Sequence, residues 1–307
     1  MSRLPERLVE CVPNFSEGRR QEVIDQIVQE IASVPQVWIL DVESDKDHNR
    51  SVVTCVGEPE AALEAMFRAI ARAAELINLE EHRGEHPRIG ATDVVPFVPL
   101  RGVTMEEAVE LARRLGKRVG EELGIPVYLY EAAATRPDRE NLANIRRGEY
   151  EGLKEAIKSD PDRVPDFGPR ELGPAGATVI GAREFLIAFN VYLNTDDVKV
   201  AKRIARAVRH SSGGLRYVKA LGMLVGGQAQ VSMNLTNFKK TPIYRVVELI
   251  RREAARYGCT ITHTELVGLT PLKAMLDVAQ WYLQLDGFSE SQVLERRLEE
   301  VLEGEGE

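Results

Sequence analysis

Eight consecutive residues, Glu81-His82-Arg83-Gly84-Glu85-His86-Pro87-Arg88, hold two acids, two histidines and two arginines. A loop of this composition can set an imidazole beside cationic and anionic partners, the setting in which histidine works as acid and base near neutral pH. Pro87 and Gly90 restrict the backbone and suggest a specified conformation, although an ordinary solvated loop fits the composition too. His82 and His86 have the spacing of two metal ligands on one helical turn, but Gly84 and Pro87 oppose a helix and no third ligand is evident. No metal is expected. GxxxxGK[ST] is absent, as is GxGxxG in a strand-to-helix turn, so no nucleotide is expected, and no GxSxG elbow supplies a nucleophile.

Elements must position this loop, and the hydrophobic pattern predicts them. The first half reads as strand Leu8–Val12, a helix over Arg19–Ser33 capped by Ser16, and strands Val37–Val42 and Ser51–Val56 around the polar loop Glu43–Arg50. A helix from Pro59 to Ile77 follows, then strand Val94–Leu100, a helix begun by the capping-box pair Thr104 and Glu107, and strand Val127–Tyr130. The second half repeats the order: strand Phe185–Leu193, helix Asp196–Ser211 capped by Thr195, strands Val218–Leu224 and Ala229–Leu235 about Gly226–Gly227, a helix from Thr241–Pro242 to Tyr257, strand Thr260–Val267 and helix Pro271–Leu283. Both halves contain β-α-β-β-α-β, so the expected fold is α+β with two ferredoxin-like subdomains packed side by side around a cleft, residues 1–178 and 179–307. The intervening stretch Ala132–Gly176 is rich in Pro and Gly, holds one helix over Tyr150–Lys158, and reads as either a linker or a shaped binding loop.

Composition narrows the class. The chain of 307 residues is 44% hydrophobic and 29% charged, enough apolar material for two cores and too much for wholesale disorder. Its net charge of −8 owes five units to Glu299, Glu300, Glu303, Glu305 and Glu307, so the body is nearly balanced and nucleic acid is an unexpected partner. Cys11, Cys55 and Cys259 are odd in number and far apart, which fits buried free thiols rather than disulfides or a CxxC metal site. No signal-peptide pattern and no spanning apolar run is present, so the expectation is a cytoplasmic protein with no membrane partner.

Several segments, in order, resemble the glutamate formimidoyltransferase family. They are Leu8–Gly18 (LVECVPNFSEG), Asn49-Arg50-Ser51, Gly84–Ala91 (GEHPRIGA), Gly148-Glu149-Tyr150, Pro165–Pro169 (PDFGP) and Gly181–Asn190 (GAREFLIAFN), and the likeness extends from Leu8 to about Leu283. The resemblance implies two ferredoxin-like subdomains and transfer of a formimidoyl group from N-formimidoyl-L-glutamate to tetrahydrofolate, the co-substrate, in histidine degradation and one-carbon metabolism. It implies that His86 is the catalytic histidine and that Gly168, Pro169, Arg170, Glu171, Leu172, Gly173, Pro174, Ala175, Gly176 and Ala177 line the folate site. Arg50, Arg88 and Arg183 lie in matching motifs as candidates for the substrate carboxylates, with Glu43 a candidate carboxylate partner where some members have Asp. It further implies a stand-alone transferase, a homodimer, and a separate cyclodeaminase as a possible partner.

One histidine can relay both protons of such a transfer, from the attacking folate amine to the departing glutamate nitrogen. Two other readings stay open. One keeps the fold and takes N-formylglutamate as donor; the other is a non-catalytic amino-acid or folate-binding module, which leaves the histidine loop without a task.

Overall fold

A computed structural model describes residues 5–304. Met1–Leu4 at the start, and Glu305 and Glu307 of the acidic tail, lie outside the described residues. The chain divides into two compact units at Arg183/Glu184.

The first unit contains β1 (Leu8–Cys11), β2 (Asn14–Phe15), α1 (Gln21–Ala32), β3 (Val37–Asp45), β4 (Arg50–Gly57), α2 (Pro59–Leu76), β5 (Thr92–Arg101), α3 (Met105–Glu122), β6 (Val127–Glu131), the short α4 (Leu142–Ile145), α5 (Glu149–Ser159) and β7 (Thr178–Ala182). β1 and β2, interrupted at Pro13, form one broken strand between β4 and β5, and β3 pairs with the far side of β4. These strands make the antiparallel ferredoxin-like sheet. β7 then pairs in parallel with β5, and β6 in parallel with β7, extending the sheet. This is why the unit ends at Arg183, five residues beyond the expected boundary: Thr178–Ala182 completes the first sheet. α1, α2 and α3 place Ile27, Ile31, Met66, Ile70, Leu115 and Val119 in one core with Val9, Cys11, Val53, Val95 and Phe97 of the strands. All three cysteines are buried and free.

The second unit comprises β8 (Ile187–Leu193), α6 (Val198–Val208), β9 (Val218–Val225), β10 (Gln228–Leu235), α7 (Ile243–Ala255), β11 (Ile261–Val267), α8 (Leu272–Leu283) and α9 (Leu294–Gly304). Its sheet runs β11-β8-β10-β9, the ferredoxin-like order, with a core built from β-strand residues such as Val191 and Val231 and helix residues such as Ile204 and Ile250. Gly226 and Gly227, at φ +55° and +79°, make the tight β9–β10 turn that the sequence predicts.

Two caps differ from expectation. Ser16 donates its hydroxyl to Gly90 O at 2.7 Å, and the Glu17 carboxylate accepts the Arg19 and Arg20 amides ahead of α1. Asp197, not Thr195, caps α6 by accepting from Lys199 N. The capping box of Thr104 and Glu107 forms as expected.

The Pro- and Gly-rich stretch between β6 and β7 is an ordered excursion. Its keystone is Arg139, 4% exposed, whose guanidinium donates to Asp166 Oδ2 at 2.7 Å and to Val164 O. The same Asp166 oxygen accepts Leu129 N of β6 at 2.8 Å. Asp166→Ala would leave a buried guanidinium without its counter-charge, a change that typically costs about 3 kcal/mol or more. Urea unfolding should report a loss of that order for Asp166→Ala and a smaller one for Arg139→Met/Asp166→Leu; equal losses would deny the pair this role.

Candidate active site

His86 stands on the loop between α2 and β5, and three anchors fix that loop. Asn49, at φ +49° just before β4, donates Nδ2–H to Arg83 O and accepts Gly18 N–H on Oδ1, both at 3.0 Å. Gly84 packs so closely on the preceding turn that a Cβ there would lie 2.3 Å from His48 O, so only glycine fits. On the far side Ala91 N donates to Ala175 O and Ala177 N donates to Ile89 O, each at 2.8 Å. The Gly168–Ala177 segment is thus bonded directly to the histidine loop.

Arg88 is the knot of this region. Its Nε–H donates to His82 Nδ1 at 3.2 Å, Nη1 donates to Glu149 and Glu151, and Nη2 donates to Glu151 at 2.7 Å. Its backbone carbonyl accepts Tyr150 N–H at 2.9 Å, so loop and α5 are joined by main chain and side chain alike. Arg88 is 6% exposed and its guanidinium is committed within the protein; carboxylates from α5 occupy the fork that the resemblance offered as one candidate for a substrate carboxylate. Because His82 Nδ1 accepts from Arg88, Nε2 carries the proton and donates to Asn49 O at 3.0 Å. Both nitrogens of His82 are used, which leaves the imidazole no lone pair for a metal. Among the described residues no cluster of three or more metal-ligating side chains occurs.

His86 differs. Half-buried, it lies in a recess lined by Ser16, His48, Asn49, Arg50, His82, Arg88 and Asp93. Its ring meets His48 edge-on at 6.4 Å between centroids. Burial, then the Arg50 and Arg146 guanidiniums, push its pKa down to about 3, so the imidazole is neutral across the physiological range. Arg146 is held by Asp93, whose other oxygen accepts Ile89 N at 2.8 Å. Burial and the neighbouring Arg146 also lower the pKa of Arg50. Asp45 Oδ2 lies 2.9 Å from His48 Nδ1, and its pKa is lowered chiefly by the His48 backbone amide. Glu43, exposed on β3 opposite Val52, contributes to the field at Arg50.

Arg183 follows β7 and its amide donates to Phe97 O at 3.1 Å. Its guanidinium acts on Tyr130 and on Glu10, which lies opposite Val98 on β1. Glu10 is 4% exposed, and burial raises its pKa to about 7 against the pull of Arg183. Within the expected folate loop, Leu172, Gly176 and Ala177 are buried, whereas Gly168 to Glu171, Gly173 and Pro174 are exposed. Gly176, at φ +70°, would put a Cβ 2.2 Å from Ile89 O, so its smallness serves the contact between loops; nothing lies within 4 Å of a Cβ at Gly173. Arg170 donates weakly to Ile157 O and is exposed, and Glu171 pairs with Lys158 at 3.6 Å.

Sequence reasoning therefore omitted His48, Asp93, Arg146 and Glu10. His48 adjoins the Asn49-Arg50-Ser51 motif and Arg146 nearly abuts Gly148-Glu149-Tyr150, so both lay beside residues already singled out. Glu10 lies inside the Leu8–Gly18 motif and Asp93 in no motif, and for both only the fold reveals the burial.

A histidine whose folded pKa is depressed contributes stability above its unfolded value near 6.5, and that contribution is lost as pH falls towards about 3. Nitrogen-15 NMR of the imidazoles should show His86 neutral well below pH 6, and Arg50→Met should move its midpoint upward. A midpoint near 6.5 in the unaltered protein would contradict this electrostatic account.

The family model of the formiminotransferase domain, N-terminal subdomain, matches residues 8–183, and that of the formiminotransferase domain matches residues 188–301. Glutamate formimidoyltransferase of Thermoplasma acidophilum is 57% identical over 298 residues, covering 96% of this chain and 98% of that protein. The enzyme of the same name from Streptococcus pyogenes serotype M1 is 48% identical over 296 residues, covering 95% and 99%. Formimidoyltransferase-cyclodeaminase of Rattus norvegicus is 48% identical over 285 residues, which span 90% of this chain and 52% of that protein. With matches along both units and full-length relatives at such identity, the chain belongs to the formiminotransferase family and is a transferase.

Proposed function

We propose that the protein transfers the formimidoyl group from N-formimidoyl-L-glutamate to N5 of tetrahydrofolate, giving 5-formimidoyltetrahydrofolate and L-glutamate, with His86 as the proton relay. The observation that carries this reading is the place of His86 in one recess with Arg50, His48 and Asp93. N5 attacks the amidine carbon and the new C–N5 bond makes a tetrahedral intermediate. His86 takes the proton that N5 sheds and delivers it to the glutamate nitrogen as the old C–N bond breaks. No covalent enzyme intermediate is needed.

An imidazole with a pKa near 3 is a weak base, and the two guanidiniums are part of the cause. Both substrates are anionic. A substrate carboxylate drawn to Arg50 or Arg146 offsets the charge that suppresses His86 and raises its basicity towards the useful range. Arg50 and Arg183 remain the carboxylate candidates, while Arg88 and His82 hold the loop. The exposed part of the Gly168–Ala177 segment is the proposed folate contact, adjacent to the histidine loop through the bonds at Ala175 and Ala177. The relatives named for formimidoyl transfer support the donor and the reaction class.

His86→Ala should reduce turnover by roughly 10²–10⁴-fold with folate binding retained. His82→Asn should act mainly on thermal stability; equal losses of turnover in the two variants would remove the relay from His86. The acid limb of kcat/KM should lie well below pH 6.5 and that of kcat should lie higher, and coincident limbs would deny the substrate-induced rise. Assay with N-formimidoyl- and N-formyl-L-glutamate separates the two donors, and absence of glutamate release with either would favour a binding module.

Two further outcomes follow. Gly173→Val, in open space, should raise the folate Michaelis constant more than that of the donor, whereas Gly176→Val should destabilise the protein. Dialysis against a chelator should leave turnover unchanged; a loss restored by zinc would reopen metal chemistry.

A further inference from the structure

Main-chain bonds strap the end of the Gly168–Ala177 segment to the loop that carries His86. Leu79 N donates to Pro174 O, Ala91 N to Ala175 O and Ala177 N to Ile89 O, each at 2.8 Å. A further strap is a side chain and is looser. The Tyr150 hydroxyl donates towards Gly173 O at 3.3 Å, at the edge of the exposed stretch Gly168 to Glu171.

Tyr150 stands where three segments meet. It is 2% exposed on α5, and its amide donates to Arg88 O at 2.9 Å, two residues after His86. Its hydroxyl lies 2.8 Å from Glu80 Oε1 as well as 3.3 Å from Gly173 O. One proton faces two acceptors, so donation to one releases the other. Burial and the Glu80 carboxylate raise the pKa of the hydroxyl well above its usual range, so it remains a donor. Lys154 bonds to the same Glu80 oxygen and holds Glu80 below the ordinary carboxylate range. The ionised acceptor at the shorter distance therefore holds the proton in the ligand-free protein. Neither acceptor is orphaned by a move. Glu80 keeps Lys154, and Gly173 O keeps the turn bond from Gly176 N at 2.9 Å.

We propose that Tyr150 is a positioning residue that couples the folate segment to the histidine loop, its hydroxyl passing from Glu80 to Gly173 O when a ligand engages the exposed stretch. A flat ring resting against Gly173 favours the arrangement in which that residue is held, and this difference between the two states is what binding can exploit. Gly173 is then fixed to α5, which already grips Arg88 through the Tyr150 amide and the Glu149 and Glu151 carboxylates. Occupancy of the segment is thereby felt at His86. The inference rests on the reading of this segment as the folate contact.

Calorimetric titration with tetrahydrofolate, without donor, tests the strap. Tyr150→Phe keeps the ring and should weaken binding about two- to tenfold, the usual contribution of one hydrogen bond. It should leave the Michaelis constant of the donor unchanged. Glu80→Gln weakens the competing acceptor and should tighten binding, because the hydroxyl then favours Gly173 O. Residues with a merely structural role would give losses in both variants. In nitrogen-15 spectra, saturating tetrahydrofolate should move the His86 signals of the unaltered protein and move those of Tyr150→Phe far less. Unchanged affinity in Tyr150→Phe, weaker binding in Glu80→Gln, or a full His86 response in saturated Tyr150→Phe would overturn the coupling and leave the folate reading standing. Should Tyr150→Phe fail to fold, the sign of the Glu80→Gln effect decides alone. An unaltered protein that binds no tetrahydrofolate would end both the coupling and the reading beneath it.

Discussion

Burial and the neighbouring Arg50 and Arg146 guanidiniums push the pKa of His86 down to about 3, and hydrogen bonds from Asn49 and to the Gly168–Ala177 segment anchor the loop that carries it. The energetic demand is to keep Arg50, Arg146 and His86 close when mutual repulsion and desolvation favour separating them. Asp93 answers part of it by pairing with Arg146 while fixing the Ile89 amide, so one buried carboxylate anchors both a cation and the histidine loop. Arg88 answers the rest. Its guanidinium makes four hydrogen bonds, to Glu149, Glu151 and His82, and these tie the loop to α5.

The two histidines of one short loop have different duties because of their hydrogen bonds, not their spacing. His82 gives both ring nitrogens to the protein and sets the loop's shape. His86 keeps its ring towards the recess. A local charge field that suppresses its basicity also attracts the anions that lift the suppression, so substrate binding and activation of the base become one event in this account. Glu10, buried on β1, has its pKa raised to about 7 by burial against the pull of Arg183.

Much of the fold was legible in the sequence because the elements are long and their periodicity clean: α2, α3 and every strand of the second unit fall within a few residues of expectation. β7 was not, since a five-residue strand is recruited into the first sheet by parallel pairing with β5 and β6, which no local pattern encodes. Ser16 looked like a cap because serine often is one; the adjacent Glu17 carboxylate reaches the amides instead and frees Ser16 to tie β2 to the histidine loop. For the site, the motif containing His86 was readable. The commitment of Arg88 was hidden because its carboxylate partners lie more than 60 residues downstream, on a helix inside what read as either a linker or a binding loop.

Chemical rescue tests the relay most directly. His86→Ala would be assayed with saturating substrates and a series of small imidazoles and amines of graded pKa. The account predicts that added bases restore turnover in proportion to their concentration, with a rate that rises with their basicity, and that His82→Ala shows no such response. A His86→Ala protein that binds both substrates yet responds to no base of any strength would contradict proton transfer as the task of His86.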